Sequence, residues 1–227
     1  MKNLGNIAFI VQARLNSQRV PNKMIRPFAD SNLFAIILDK LLESKIIPKE
    51  NIFGSVFEQE LIDVLEKREL NYWHRSEASA NEDSNLQLIY EWHDKLFAKF
   101  EHVVLISGCT PLLRIDTIDD FVKKFVTQEE ENLFAVIEKK TYYWDENGKM
   151  ITKWPKGETI MNTKVIDPIY EAAHCLYASR LDSIERNQFM VDYTKENLIL
   201  YKIPEAEAFD IDYEWQFKAA ELLYGKI

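Results

Sequence analysis

The chain is short of glycine, with six in 227 residues, and carries only two cysteines, Cys109 and Cys175. Few glycines and no low-complexity run leave no flexible linker to divide it. Two isolated cysteines without metal-ligand spacing exclude a disulfide framework and a thiolate metal site, and fit free thiols in a reducing compartment. No apolar window is long enough to span a membrane. The apolar run that opens the chain is cut short by Arg14, which excludes a signal peptide, so a cytoplasmic location is expected. Cations are the minority charge, 28 against 37 acidic residues for a net −9, which argues against a general nucleic-acid surface.

What remains is the composition of an ordinary globular protein, 47% hydrophobic and 29% charged, long enough to bury a full core. Five consecutive apolar residues, Ile7 to Val11, read as a buried parallel strand. Further strands are expected at Asn51–Val56, Asn71–His74, His102–Ser107, Phe134–Ile137 and Leu198–Ile203. Helical spacing marks Leu33–Ser44, a segment around Leu61–Leu65, Ser84–Lys99 with Ser84 as N-cap, Asp116–Val126 and Glu214–Tyr224. Strands alternating with helices predict an α/β fold, a mostly parallel sheet with helices on both faces. One domain over residues 1–227 is expected. Asn147-Gly148 between Tyr142-Tyr143-Trp144 and Met150-Ile151-Thr152 predicts a β-hairpin. That arm, at about residues 139–172, suits either packing on a partner subunit or covering its own sheet edge.

The first strand runs into Gln12-Ala13-Arg14-Leu15-Asn16-Ser17-Gln18-Arg19-Val20-Pro21-Asn22-Lys23. A cationic loop at the carboxyl end of a central strand is where open α/β sheets bind ligands, and Arg and Lys there suit a polyphosphate. The same loop also reads as a solvated connection. Near the carboxyl end, Asp210-Ile211-Asp212 places two carboxylates on one face of an extended segment, with Ile211 pointing inward. Two hard oxygen ligands on one face suit Mg²⁺. Asp212 alternatively falls where a helix N-cap would sit.

Together these motifs resemble the cytidylyltransferases that make CMP-activated acidic sugars, the CMP-sialic acid and CMP-Kdo synthetases among them. The signature A-R-x-x-S-x-R-x-P-x-K is matched by Ala13 through Lys23, and the carboxyl-terminal motif by Asp210, Ile211 and Asp212 followed by Phe217, Ala220 and Glu221. Arg75 followed by Asp83 is similar to the family's cytosine and ribose segment. Ser107-Gly108-Cys109-Thr110-Pro111 stands at its fourth-strand motif.

The resemblance implies a nucleotide-diphospho-sugar-transferase-like fold and transfer of CMP from CTP to an acidic-sugar hydroxyl, with release of pyrophosphate. It assigns catalytic roles to Arg14, Lys23 and Asp212, and nucleotide contacts to Ala13, Arg14, Ser17, Arg19, Lys23, Arg75, Asp83 and Ser107. Mg²⁺ would be held by Asp210 and Asp212. On the acceptor side, Lys164 could pair with a carboxylate and His174 could contact hydroxyls, although His174 also reads as a hydrogen-bonded core residue. CTP, an acidic sugar and a second copy in a homodimer are the expected partners. Leu15-Asn16 replaces the glycines usual in the family's phosphate loop, and Asn16 can supply a positive φ there. Two other readings remain open at this point: a glycosyltransferase using Asp-x-Asp, and a nucleotide binder without catalysis.

Overall fold

The computed structural model describes residues 1–188 and 198–226. Its sheet strands are β1 (Ile7–Gln12), β4 (Ile52–Val56), β5 (Asn71–His74), β6 (His102–Ile106), β7 (Leu133–Lys139), β8 (Ile169–Arg180) and β9 (Leu200–Lys202), while β2 (Pro27–Phe28) and β3 (Ser31–Asn32) form a separate antiparallel ribbon. The seven strands lie in the order β5-β4-β1-β6-β8-β7-β9. β1 pairs in parallel with β4 and β6, β4 with β5, and β7 with β9; only β8 runs antiparallel, against β6 and β7.

Side chains of β1 alternate between two cores, as the pleat requires. Ile7, Phe9 and Val11 join Phe34, Leu38, Phe121 and Phe125 on one face. Ala8 and Ile10 join Trp92, Phe100, Leu181 and Ile184 on the other. The expected α/β architecture with both faces covered is therefore present.

The helices are α1 (Leu33–Leu42), α2 (Gln59–Glu66), α3 (Glu77–Asn81), α4 (Leu86–Ile89), α5 (His93–Leu96), α6 (Ile115–Thr127), α7 (Asp182–Glu185) and α8 (Glu214–Leu223). α1 starts where Asn32 accepts the Ala35 N–H at 2.8 Å, and α6 presents Ile118, Phe121, Val122 and Phe125 to the core.

The single helix expected over 84–99 is instead two short turns, α4 and α5, and the N-cap is Asn85 rather than Ser84, accepting the Leu88 N–H at 3.1 Å. Tyr90 and Trp92 explain the break. They are 8% and 0% exposed, and the Trp92 indole N–H donates to Gln12 Oε1 at 3.1 Å. Residues two apart point to different sides of a continuous helix, so burying both requires a bend between them.

The expected hairpin arm is present, with short pairing. The turn forms, with Gly148 N–H donating to Asp145 O at 3.0 Å, but Trp144 and Met150 make one isolated bridge rather than two strands. Several of its aromatic and aliphatic side chains stay exposed.

Chain order reverses at β1: β4 and β5 extend to one side, then β6 returns to the other. Open α/β sheets leave a crevice at such a point, outside the carboxyl ends of the strands. Here it is flanked by the loops after β1 and β6.

Candidate active site

The loop after β1 is anchored from within. Ala13 N–H donates to Ser55 O at 3.0 Å, and Leu15 N–H donates to Glu58 Oε1 at 2.8 Å. Val20 and Met24 are buried, and Leu15 packs against the same core. Asn22 adopts a left-handed conformation, φ 54°, and its N–H donates back to Leu15 O at 3.3 Å. The positive φ thus falls at Asn22 and not at Asn16, because the loop reverses at its far end. With the apolar side chains turned in, Arg14, Ser17, Arg19 and Lys23 line a cleft of about 800 Å³. The backbone N–H groups of Asn16, Ser17, Gln18 and Arg19 have no hydrogen-bond partner among the described residues. Cations and amides without partners among the described residues, in one loop, have the chemistry to hold an anion.

Across the cleft lies the segment around α3. Arg14 donates to Ala80 O at 3.1 Å and to Asp83 Oδ1 at 2.7 Å, while Asn16 Nδ2 donates to Asn81 Oδ1 at 2.5 Å. Arg75 is 3% exposed and turned inward, donating through Nε to Ser79 Oγ at 3.1 Å and through Nη2 to the Ser79 carbonyl. Burial, with Arg14 nearby, lowers the Arg75 pKa from its ordinary value.

The carboxyl-terminal segment approaches the cation loop from a distance of almost the whole chain. Arg19 Nη2 donates to Asp212 Oδ1 at 2.5 Å, and Lys23 Nζ donates to Ile211 O at 2.6 Å. Arg26 grips Glu214 with two bonds of 2.7 and 2.6 Å. Ile211 is fully buried, as the alternation predicts. Asp212 does not cap α8: that position belongs to Tyr213, and the Gln216 side chain accepts the N–H groups of Asp212 and Tyr213, both at 2.7 Å. Asp210 Oδ1 is buried without a hydrogen-bond partner among the described residues. Burial is the main cause raising the Asp210 pKa; Lys23 opposes it and Asp212 adds to it.

The loop after β6 forms the floor. Ser107 Oγ accepts the Cys109 N–H at 3.1 Å, and Cys109 O accepts the Ile211 N–H at 3.0 Å, which hangs the aspartate pair on this loop. Lys40 clamps the loop from behind, donating to Pro111 O at 2.5 Å and Leu113 O at 2.7 Å. Glu207, 4% exposed, accepts the Arg114 N–H at 3.0 Å.

Of the residues singled out in the sequence, Ala13, Arg14, Ser17, Arg19 and Lys23 line the cleft, and so do Arg75, Asp83, Ser107 and His174. Asp210 and Asp212 join them through Arg19 and Lys23. Lys164 stands apart, exposed on the arm and not lining the cleft. His174 is exposed, so the core reading does not hold for it. Glu58, Lys40, Glu207 and the Arg26–Glu214 pair had no sequence signal; each matters through a partner distant in the chain.

A family model described as cytidylyltransferase matches residues 8–221. The chain belongs to the cytidylyltransferase family. It is a nucleotidyltransferase, and the glycosyltransferase reading falls away. A pseudaminic acid cytidylyltransferase of Campylobacter jejuni subsp. jejuni is 24% identical over 99% of this chain and 97% of its own length. The spore coat polysaccharide biosynthesis protein SpsF of Bacillus subtilis is 32% identical over 28% of this chain and 27% of its own. In fold, this cytidylyltransferase is similar to a CMP:2-keto-3-deoxy-manno-octonic acid synthetase complexed with CTP, with a TM-score of 0.70 at 8% identity, covering 97% of this chain and 98% of that one. It is also similar to 4-diphosphocytidyl-2C-methyl-D-erythritol synthase from Anaerococcus prevotii, with a TM-score of 0.67 at 14% identity over 96% of each chain. Among the described residues no helix is long and apolar enough to cross a membrane.

Proposed function

We propose that this cytidylyltransferase transfers CMP from CTP to the hydroxyl of a nonulosonic-type acidic sugar and releases pyrophosphate in a Mg²⁺-dependent reaction. The observation that carries the site assignment is the meeting of Arg19 and Lys23 with Asp212 and Ile211, 193 and 188 residues away. Triphosphate cleavage needs positive charge where the leaving group gathers negative charge, and carboxylates for a metal beside it. The full-length likeness to a protein named for pseudaminic acid supports the acceptor class.

In this reading the loop amides of residues 16–19 and the side chains of Arg14, Arg19 and Lys23 hold the phosphates, with Lys23 stabilising departing pyrophosphate. Ser17 and Ala13 shape the loop, while Arg75, Asp83 and Ser107 bound the nucleoside end. The aspartate pair fits a divalent cation, because the buried, unpartnered Asp210 Oδ1 is the kind of oxygen a cation satisfies. No cluster of three or more His, Cys, Asp or Glu suited to a metal occurs among the described residues. Mg²⁺ needs none, since one or two carboxylates, substrate phosphates and water complete its shell. When bound, the ion would neutralise phosphate charge.

Among the described residues, the cations lining the cleft are Arg14, Arg19 and Lys23 of the loop after β1 and the inward-turned Arg75. Lys164 is assigned to the acceptor carboxylate only if the arm meets the cleft of another copy. The exposed Trp144, Ile151, Ile160, Met161 and Val165, all on the arm, support packing on a second subunit, since exposed large apolar side chains gathered in one segment mark interaction surfaces.

The test is pyrophosphate release with each of the four nucleoside triphosphates and Mg²⁺ against a panel of 2-keto-3-deoxy acid sugars, with Asp212→Ala as control. CTP-specific release with one acid, abolished in the variant, is expected. Release with another triphosphate, or equal release by Asp212→Ala, would overturn the assignment.

A further inference from the structure

β8 pairs with β7 through a slip in register: Val136 faces Ala172 but Phe134 faces Tyr177, so two steps on one strand oppose five on the other. His174 lies inside the slip with φ 52°, the left-handed region that non-glycine residues rarely adopt. Its neighbours Ala173 and Cys175 are buried, whereas His174 is exposed and lines the cleft with Lys23 and Ser107. Bulges often re-aim a side chain beside a reaction centre, and strained backbone clusters at such sites.

The ring is also held. His174 Nδ1 lies 2.9 Å from the Tyr177 hydroxyl, and the Tyr177 ring stacks on Phe134 with centroids 6.4 Å apart and planes at 11°. When Nδ1–H donates to Tyr177 Oη, Nε2 keeps its lone pair, and Nε2 has no hydrogen-bond partner among the described residues. Other groups of the cleft are less suited to take a proton. Lys23 and Arg19 are engaged as donors, Asp212 is paired with Arg19, the Lys23 charge opposes the rise in the Asp210 pKa, and burial raises the Cys109 thiol pKa.

We propose that His174 is the proton acceptor of the reaction, its ring aimed by the β8 bulge and by Tyr177. The inference rests on the reading that the acceptor attacks through a hydroxyl. The acceptor O–H bond breaks and its proton passes to His174 Nε2. The oxygen's electron pair forms the bond to the α-phosphorus of CTP, and the α–β bridging oxygen leaves with pyrophosphate. The imidazolium then returns the proton to water or to pyrophosphate.

Asn and Gly both accept a positive φ, so His174→Asn and His174→Gly change the chemistry while keeping the backbone. Asn can still hydrogen-bond a hydroxyl but cannot take its proton. Losing a general base costs about 10²–10⁴-fold in rate. His174→Asn is expected to lower kcat within that range while CTP affinity, read by calorimetry, stays within about twofold of the parent by the same reasoning. In His174→Gly, added imidazole is expected to restore turnover. An active parent whose Asn variant keeps its kcat, or a Gly variant that imidazole does not rescue, overturns the proton-accepting role. A parent that binds CTP yet releases no pyrophosphate with any acid overturns the acceptor reading and this inference with it.

Discussion

Lys23 Nζ rests 2.6 Å from the carbonyl of Ile211, the residue between Asp210 and Asp212. One ammonium therefore stands at the junction of the cationic loop and the aspartate pair, tethered through a neutral acceptor.

Lys23→Ala is expected to lower kcat by about 10²–10³-fold, the usual cost of removing one preorganised electrostatic contact at a developing charge. The fold should survive, since Val20 and Met24 still anchor the loop. Steady-state pyrophosphate release alongside thermal denaturation checks both halves. Unchanged turnover would remove Lys23 from the mechanism.

Asp210 presents a buried oxygen with no hydrogen-bond partner among the described residues and a pKa raised mainly by burial. Asp210→Asn removes a charge whose burial Lys23 and His174 offset only in part, so its Tm should equal or exceed the parent's, while activity is lost. Mg²⁺ with CTP should raise the parent's Tm more than the variant's, by linkage. A large drop in Asp210→Asn stability would point to a structural carboxylate instead.

Lys40 offers a pH signature away from the chemistry. Burial is the main cause lowering its pKa to about 8, with Glu207 and Glu43 opposing. Its folded value lies below its ordinary value of 10.5, so between these two the unfolded chain binds the extra proton. By linkage its contribution to stability rises with pH across that window, by at most about 1.4 kcal/mol per pH unit. Below pH 8 the penalty for burying the charge is present in full. Subtracting the Lys40→Met stability profile from the parent's should isolate that slope; a flat difference would contradict it.

The arm predicts assembly. Ile160 and Met161 are 67% and 61% exposed, and Trp154 and Val165 of the same arm are exposed too. Replacing both with Asp should turn a dimer into a monomer in sedimentation velocity, with little change in Tm. A parent that sediments as a monomer at micromolar concentration would refute the dimer.

Local pattern carried a large share of the outcome because it reports local physics. The run Ile7–Val11 could only be buried on both faces, and Asp210-Ile211-Asp212 could only alternate, so β1 and the inward Ile211 were legible from neighbours alone. The cation loop and the family likeness were legible for the same reason, as contiguous motifs.

Tertiary structure decided what depends on distant partners. The helix expected at 84–99 broke because Trp92 found Gln12 and the core beneath the sheet. Arg75 turned inward onto Ser79, and Arg19 found Asp212. His174 became exposed in the cleft because β8 slipped against β7, a choice made by sheet pairing that no period in the residues around it records. Sequence determined which residues could be buried, charged or turned; the packing of the two cores determined which of them meet.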